Sequence, residues 1–249
     1  MLLRRLIEHV RAQNWTAIAI DFVIVVVGVF VGLQAQQWAE AQSDHKREKD
    51  YLGALAKDIR EDIAWIEQAL RVEQTRMSAL DHLLRESAGA SLPDGFNSVR
   101  GRIVIESFPP YPKNDPYDPG YTLFIYDGMS AQRAAYETII NTGGLELIRD
   151  TALVREIQDY YARVEAVQHF EGLMEATRDR FVEAQRQAGV SPVDRRPMED
   201  LVGLVRANPA MMAAGKNYWL FTNRHLMHLT NLKKAADTLA EMLATEFPS

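Results

Sequence analysis

The chain has no cysteine. That excludes disulfides, a thiolate metal site and a thiol nucleophile. It leaves the compartment open, because a secreted protein is not obliged to carry disulfides. Basic excess is also missing. The formal net charge is -6, and all but three of the 28 basic residues and all but two of the 34 acidic ones lie beyond residue 33. A mildly acidic main part argues against a nucleic-acid partner, which selects a basic face. Several signatures of chemistry are absent as well. There is no G-x-S-x-G elbow, no G-x-x-x-x-G-K-[ST] loop, no H-E-x-x-H and no EF-hand spacing. The carboxylates fall on helix faces at solvated positions, so no enzyme and no cofactor are expected.

What is present is organised around one stretch, Thr16 to Leu33, TAIAIDFVIVVVGVFVGL, with Asp21 its only charge. Eighteen residues at about 1.5 Å each cover roughly 27 Å, close to the hydrocarbon thickness of a bilayer. β-branched residues are mediocre helix formers in water, whereas in lipid the backbone must satisfy itself and the helix forms regardless. Trp15 and Trp38 bracket the run as interfacial aromatics do. The run is read as the one membrane span, within a segment 16–38. Arg4, Arg5 and Arg11 precede it, while Lys46, Arg47 and Lys49 start well beyond Trp38 and alternate with acids. The positive-inside rule then puts the amino terminus in the cytoplasm and residues 39–249 in the periplasm, with the inner membrane as location. The rival is a cleaved signal peptide, since Ala39-Glu40-Ala41 resembles a cleavage site, but the apolar run exceeds the usual length of such a segment. A long buried helix of a soluble protein is a second rival.

Gly28 and Gly32 form a G-x-x-x-G pair. Small residues four apart make a flat stripe that a second helix can approach closely. Asp21 lies two turns earlier on the same stripe and Ala35 continues it; an acid in a span faces protein or water rather than lipid. Asp21, Gly28, Gly32 and Ala35 are therefore the candidate helix–helix interface, toward another membrane protein or a second copy. The bland alternative is a glycine pair of no consequence and an acid shallow enough to reach the headgroups. Ahead of the span, residues 1–15 place Leu2, Leu3, Leu6, Ile7 and Val10 at helical spacing, as in an amphipathic segment on the cytoplasmic leaflet.

From Gln34 to Glu86 there is no proline, and the only glycine is Gly53. Leu52, Leu55, Ile59, Ile63, Ile66 and Leu70 step by three or four, so one long amphipathic helix continuous with the span is predicted. A strict heptad is not sustained along it, which favours packing in a bundle over an isolated coiled coil. Arg102 to Ile105 is β-branched and reads as a short strand. FPPYPKNDPYDPGY, residues 108–121, has five prolines that argue against regular structure, and aromatics that favour packing over solvent. Tyr111, Asp115, Tyr117 and Asp118 mark it as a candidate partner loop. Ser130 is the expected N-cap of a helix over 131–141 that Gly143 stops, and Asp150 the cap of a long helix over 151–187. A short helix over 198–207 and a last helix opened by Asn208-Pro209 complete the pattern. The fold class that follows is all-α: an N-terminal transmembrane helix, then an up-and-down periplasmic helical bundle with a proline-rich loop. His225 and His228, three apart on the last helix, are the residues a metal would use, but no near carboxylate completes a pattern and no metal is expected.

Two stretches carry a resemblance. DFVIVVVGVFVGLQAQQWAE, residues 21–40, has an acid, an aliphatic run with a glycine, then Leu33-Gln34 and Trp38. AAYETIINTGGLELIRDTALVREIQDYY, residues 134–161, has Tyr136, Glu137, Gly144, Leu145, Ile148, Leu153, Tyr160 and Tyr161. Together they resemble an uncharacterised bacterial family of short single-pass membrane proteins. The region between them, proline loop included, has no counterpart in that pattern. The family carries no assigned activity, so the resemblance implies topology and nothing about catalysis.

The expected function is a membrane-anchored structural or interaction protein, an accessory subunit of a larger inner-membrane complex, with membrane lipid and another span as partners. A periplasmic small-ligand sensor is the alternative, set back by a fifteen-residue leading segment too short for a signalling domain. An ion-coupled stator-like subunit using Asp21 is the second alternative, set back by an acid so near the cytoplasmic end.

Overall fold

A computed structural model describes residues 15–88, 110–112, 118–124 and 128–246, with the side chains of 15–19, 21 and 88 outside the description. Every regular element among the described residues is helical: α1 (Trp15–Ala88), α2 (Pro119–Phe124), α3 (Ala134–Asn141), a 3-10 turn (Gly144–Leu147), α4 (Thr151–Gln187), α5 (Met198–Ala207) and α6 (Pro209–Glu246). The leading segment 1–14 and the strand expected at 102–105 lie outside the described residues. The chain divides into two units, Met1–Tyr51 and Leu52–Ser249.

In the first unit, α1 carries its apolar run with no protein against it. Phe22 is 68% exposed, Val25 63% and Phe30 60%. Among the described residues one helix, near the N-terminus, is long and apolar enough to cross a membrane, and no part of its apolar window is buried. Past Leu33 the same helix becomes polar and bears short-range pairs of the kind exposed helix surfaces carry. Gln36 Nε2 donates to Glu40 at 2.9 Å, and Arg47 pairs with Asp44.

In the second unit, α1 buries Leu52, Leu55, Ile59, Asp62, Ile66, Ala69, Glu73, Arg76, Leu80, Leu83 and Ser87. The steps alternate three and four without a break, which is the 3.5-residue period of a coiled-coil seam. The expected stripe, and the expectation that no heptad is sustained, are thereby corrected: Ile63 and Leu70 are half-buried, and Asp62 and Ala69 take their places in the seam, where polar residues had hidden the repeat. α6 shows the same alternation through Met211, Gly215, Tyr218, Thr222, His225, Leu229, Leu232, Ala236, Leu239 and Leu243. α4 shows it through Leu153, Ile157, Tyr160, Val164, Val167, Glu171 and Met174.

Cross-helix pairs give the directions. Along α1, Glu67 meets Lys233 at 3.3 Å, Glu73 meets His225 at 3.1 Å and Asp81 takes the Trp219 indole N–H at 3.1 Å, so α6 runs antiparallel to α1. Asp62 meets Tyr160, and Glu73 and Glu171 meet the same histidine, so α4 runs parallel to α1. An up-and-down order would alternate consecutive long helices; here the first two point the same way. Gly215 lies at a close approach of α6 to its neighbours: a Cβ there would stand 3.0 Å from Leu84 Cδ2 and 3.2 Å from Phe181 Cε2.

Local signals set most boundaries. Asp150 accepts from the Ala152 and Leu153 amides, and Asn208 from those of Ala210 and Met211. Gly143, at φ 70°, ends α3 in the left-handed conformation that glycine adopts without a steric penalty. Two expectations fail. Ser130 does not cap α3, which starts at Ala134 after Arg133 and receives its cap from Asp58 of α1. The proline loop was expected to lack regular structure throughout, yet Pro119 opens α2, because at the first helical position a missing N–H removes nothing.

Candidate functional site

Of the residues expected to form a helix–helix interface, Gly28, Gly32 and Ala35 lie on the exposed part of α1. Nothing stands within 4 Å of a Cβ built on Gly28 or Gly32. Ala35 is exposed, and the Asp21 side chain is outside the description. Gly28, Gly32 and Ala35 therefore form an open surface rather than a filled one.

Of the proposed partner loop, Asp115 and Tyr117 lie outside the described residues. Tyr111 is half-buried and stacks on His82 of α1, ring centroids 5.6 Å apart. Asp118 adopts φ 67° and accepts the Gly120 amide at 2.9 Å, an Asx turn that leads into α2. Both described residues serve packing and turn geometry within this unit.

The histidine pair separates. His228 is half-buried and lies 4.9 Å from the Phe170 ring centroid. Burial, then Arg224 and His225, push its pKa below the usual imidazole value. His225 is 2% exposed and is the centre of an ionic layer spanning α1, α4 and α6. Its Nδ1 is 3.1 Å from Glu73 Oε1 and its Nε2 3.5 Å from Glu171 Oε1. Glu73 is paired on its other side with Arg76, which is 1% exposed. Burial alone would lower the His225 pKa; the Glu73 charge, the Glu171 carboxylate beside Nε2 and the hydrogen bond to Glu73 outweigh it and push the ring up to about 9. Burial likewise opposes ionisation of Glu73, but Arg76 and His225 prevail and hold that carboxyl below its ordinary value. Two acids and two bases thus neutralise one another inside an apolar core, the condition under which buried charge is tolerated. No group of three or more metal-ligating side chains with metal-binding geometry occurs among the described residues.

A second polar group sits one end of the seam away. Asp62, 1% exposed, accepts the Tyr160 hydroxyl at 2.7 Å and the Gln132 amide at 2.8 Å. Asp58 accepts the Ala135 amide at 3.1 Å, placing a carboxylate at the amino end of α3 where the helix dipole favours it. Burial pushes the Asp62 pKa up against its two hydrogen bonds, and pushes the Tyr160 hydroxyl far above the ordinary phenol value. Tyr136, Tyr160 and Tyr161, three of the residues in the resemblance, meet here. Tyr136 and Tyr161 stack at 3.8 Å, and Tyr160 sits edge-on to Tyr161 at 5.0 Å.

Sequence reading missed Glu73, Arg76, Glu171, Asp58 and Asp62. The signal for the first three and for Asp62 was a charged residue standing where a three-four apolar repeat requires an apolar one.

These features define a protein whose regular elements, among the described residues, are all helical, with one helix near the N-terminus that is long and apolar enough to cross a membrane. Comparison of the chain with protein-family models, with curated proteins and with solved structures finds no match.

Proposed function

We propose that the chain is a single-pass membrane protein of the bacterial inner membrane. Its amino terminus lies in the cytoplasm, and Leu52–Ser249 forms a periplasmic helical bundle that binds other proteins, as an accessory subunit of a larger membrane complex. The observation that carries the reading is the run Phe22–Leu33: an uncharged helix exposed on every side, which in water would form a large apolar patch. The polar groups of the other unit support the binding role. They are spent on pairing one another and on holding backbone, as in a scaffold. Within the membrane, Asp21, Gly28, Gly32 and Ala35 face a second helix.

Because the chain has no cysteine, single cysteines report topology without background. The protein resists carbonate extraction, and a cysteine at Ser191 reacts with an impermeant maleimide in intact spheroplasts. Release by carbonate, or a mature chain that begins after Ala41, overturns the anchor. Gly28→Leu with Gly32→Leu weakens co-purification of the partner helix in mild detergent. Unchanged co-purification removes the proposed interface and leaves the anchor standing.

A further inference from the structure

We propose that the Glu73–His225–Glu171 layer is a pH-sensitive clasp that fastens the 128–133 segment to the long helices, through the Glu171 carboxylate that His225 and Met129 share. Glu171 Oε1 accepts the Met129 amide at 2.8 Å and lies 3.5 Å from His225 Nε2. Among the described residues, 128–132 make no backbone–backbone hydrogen bond. Side chains hold them instead: Gln168 donates to Met129 O at 3.3 Å, Asp62 takes the Gln132 amide, and the Tyr161 hydroxyl donates to Gln132 O at 3.2 Å. A segment without a ladder of its own depends on each such bond.

The charged and titratable groups facing His225 are Glu73 and, behind it, Arg76 from α1, Glu171 from α4, and Arg224 and His228 on its own helix. Protonated, the ring pairs Nδ1 with Glu73 and turns its second positive N–H edge, at Nε2, toward the Glu171 carboxylate 3.5 Å away. When it loses a proton, one nitrogen must turn a lone pair toward an acid. The shorter bond to Glu73, itself anchored by Arg76, keeps the remaining proton on Nδ1. The lone pair then faces Glu171. That carboxylate escapes by rotating away and lets go of the Met129 amide, so the segment loosens before the helices part.

The test uses the full chain in detergent, with a spin label on Ser130→Cys, an exposed position beside Met129, and a control label on Lys234→Cys, exposed on α6. The Ser130 label is immobilised at neutral pH and loses its immobilised component as pH passes through about 9, while the Lys234 label does not change. His225→Gln is loose at neutral pH with no alkaline transition. Glu171→Gln, which keeps an acceptor for Met129 without the charge, stays immobilised with the transition abolished. A Ser130 label that is flat from about pH 6 to about pH 10, or that loosens only together with the Lys234 label, overturns the clasp. Should His225→Gln fail to fold, the pair of labels on the otherwise unaltered chain decides alone.

Discussion

Two stretches of the same helix, α1, use side chains in opposite ways. Over Phe22–Leu33 apolar side chains cover every face and none is buried in protein. Over Leu52–Ser87 one seam is buried, and Asp62, Glu73, Arg76 and Ser87 sit within it. An all-round apolar surface suits a solvent that is itself apolar, which offers no reward for sidedness. A seam with charged residues suits a core in which neighbouring helices supply partners. Apolar content alone therefore says little about burial; what matters is how that content is distributed around the axis, and what the gaps in it meet.

The contrast can be broken at either end. The largest effect is expected from Glu73→Leu, which leaves Arg76 and His225 buried without their shared carboxylate. A loss of about 3–5 kcal/mol follows from removing one member of a buried ion group, read by denaturant unfolding of the helical unit. If that substitution proves neutral, the layer is not an ionic one. Val26→Arg should act only on the other stretch. It costs about 2.5–3.5 kcal/mol of membrane insertion, seen as a carbonate-soluble fraction, with thermal unfolding of the Leu52–Ser249 unit unchanged.

The pH dependence sharpens the comparison further. His225 has a folded pKa raised to about 9 from 6.5, so its contribution is complete below 6.5 and is lost as pH rises through about 9. Glu73 has its folded pKa lowered from 4.5, so its contribution is present above 4.5 and declines as pH falls below it. Thermal stability should therefore be highest between these ordinary values and fall on the alkaline side. His225→Gln should remove that alkaline slope; a slope that persists would assign it to another group. The smallest effect is expected at Thr222, whose buried Oγ1 has no hydrogen-bond partner among the described residues. Thr222→Val keeps the shape and removes the unsatisfied hydroxyl, for a gain of about 1 kcal/mol in chemical denaturation.

Much of the fold was legible because the deciding contacts are local. Asp150 and Asn208 cap helices that start one residue later, so their roles could be read from adjacent sequence. The bounds of α4 and α5 follow from such signals and from periodicity. Ser130 looked like the same kind of cap, yet Asp58, 77 positions away, holds the Ala135 amide instead. The parallel course of α1 and α4 was likewise invisible, since helix periodicity carries no direction. His225 attracted notice for a metal that its neighbour on the helix would have shared. Its actual partners, Glu73 and Glu171, come from two other helices.

The sequence by itself determined that the chain is helical, that one early helix is apolar enough for a bilayer, and where the long helices begin. Each of those depends on residues within a turn or two of one another, or on composition summed over a short window. Only the tertiary structure decided which charges are buried. An acid at a seam position reads as a defect in the repeat until a distant helix places a base against it, and that pairing is what makes its burial tolerable. The ionic layer, its hold on Met129 and the directions of the helices all belong to this second kind, because they arise between segments far apart in the chain.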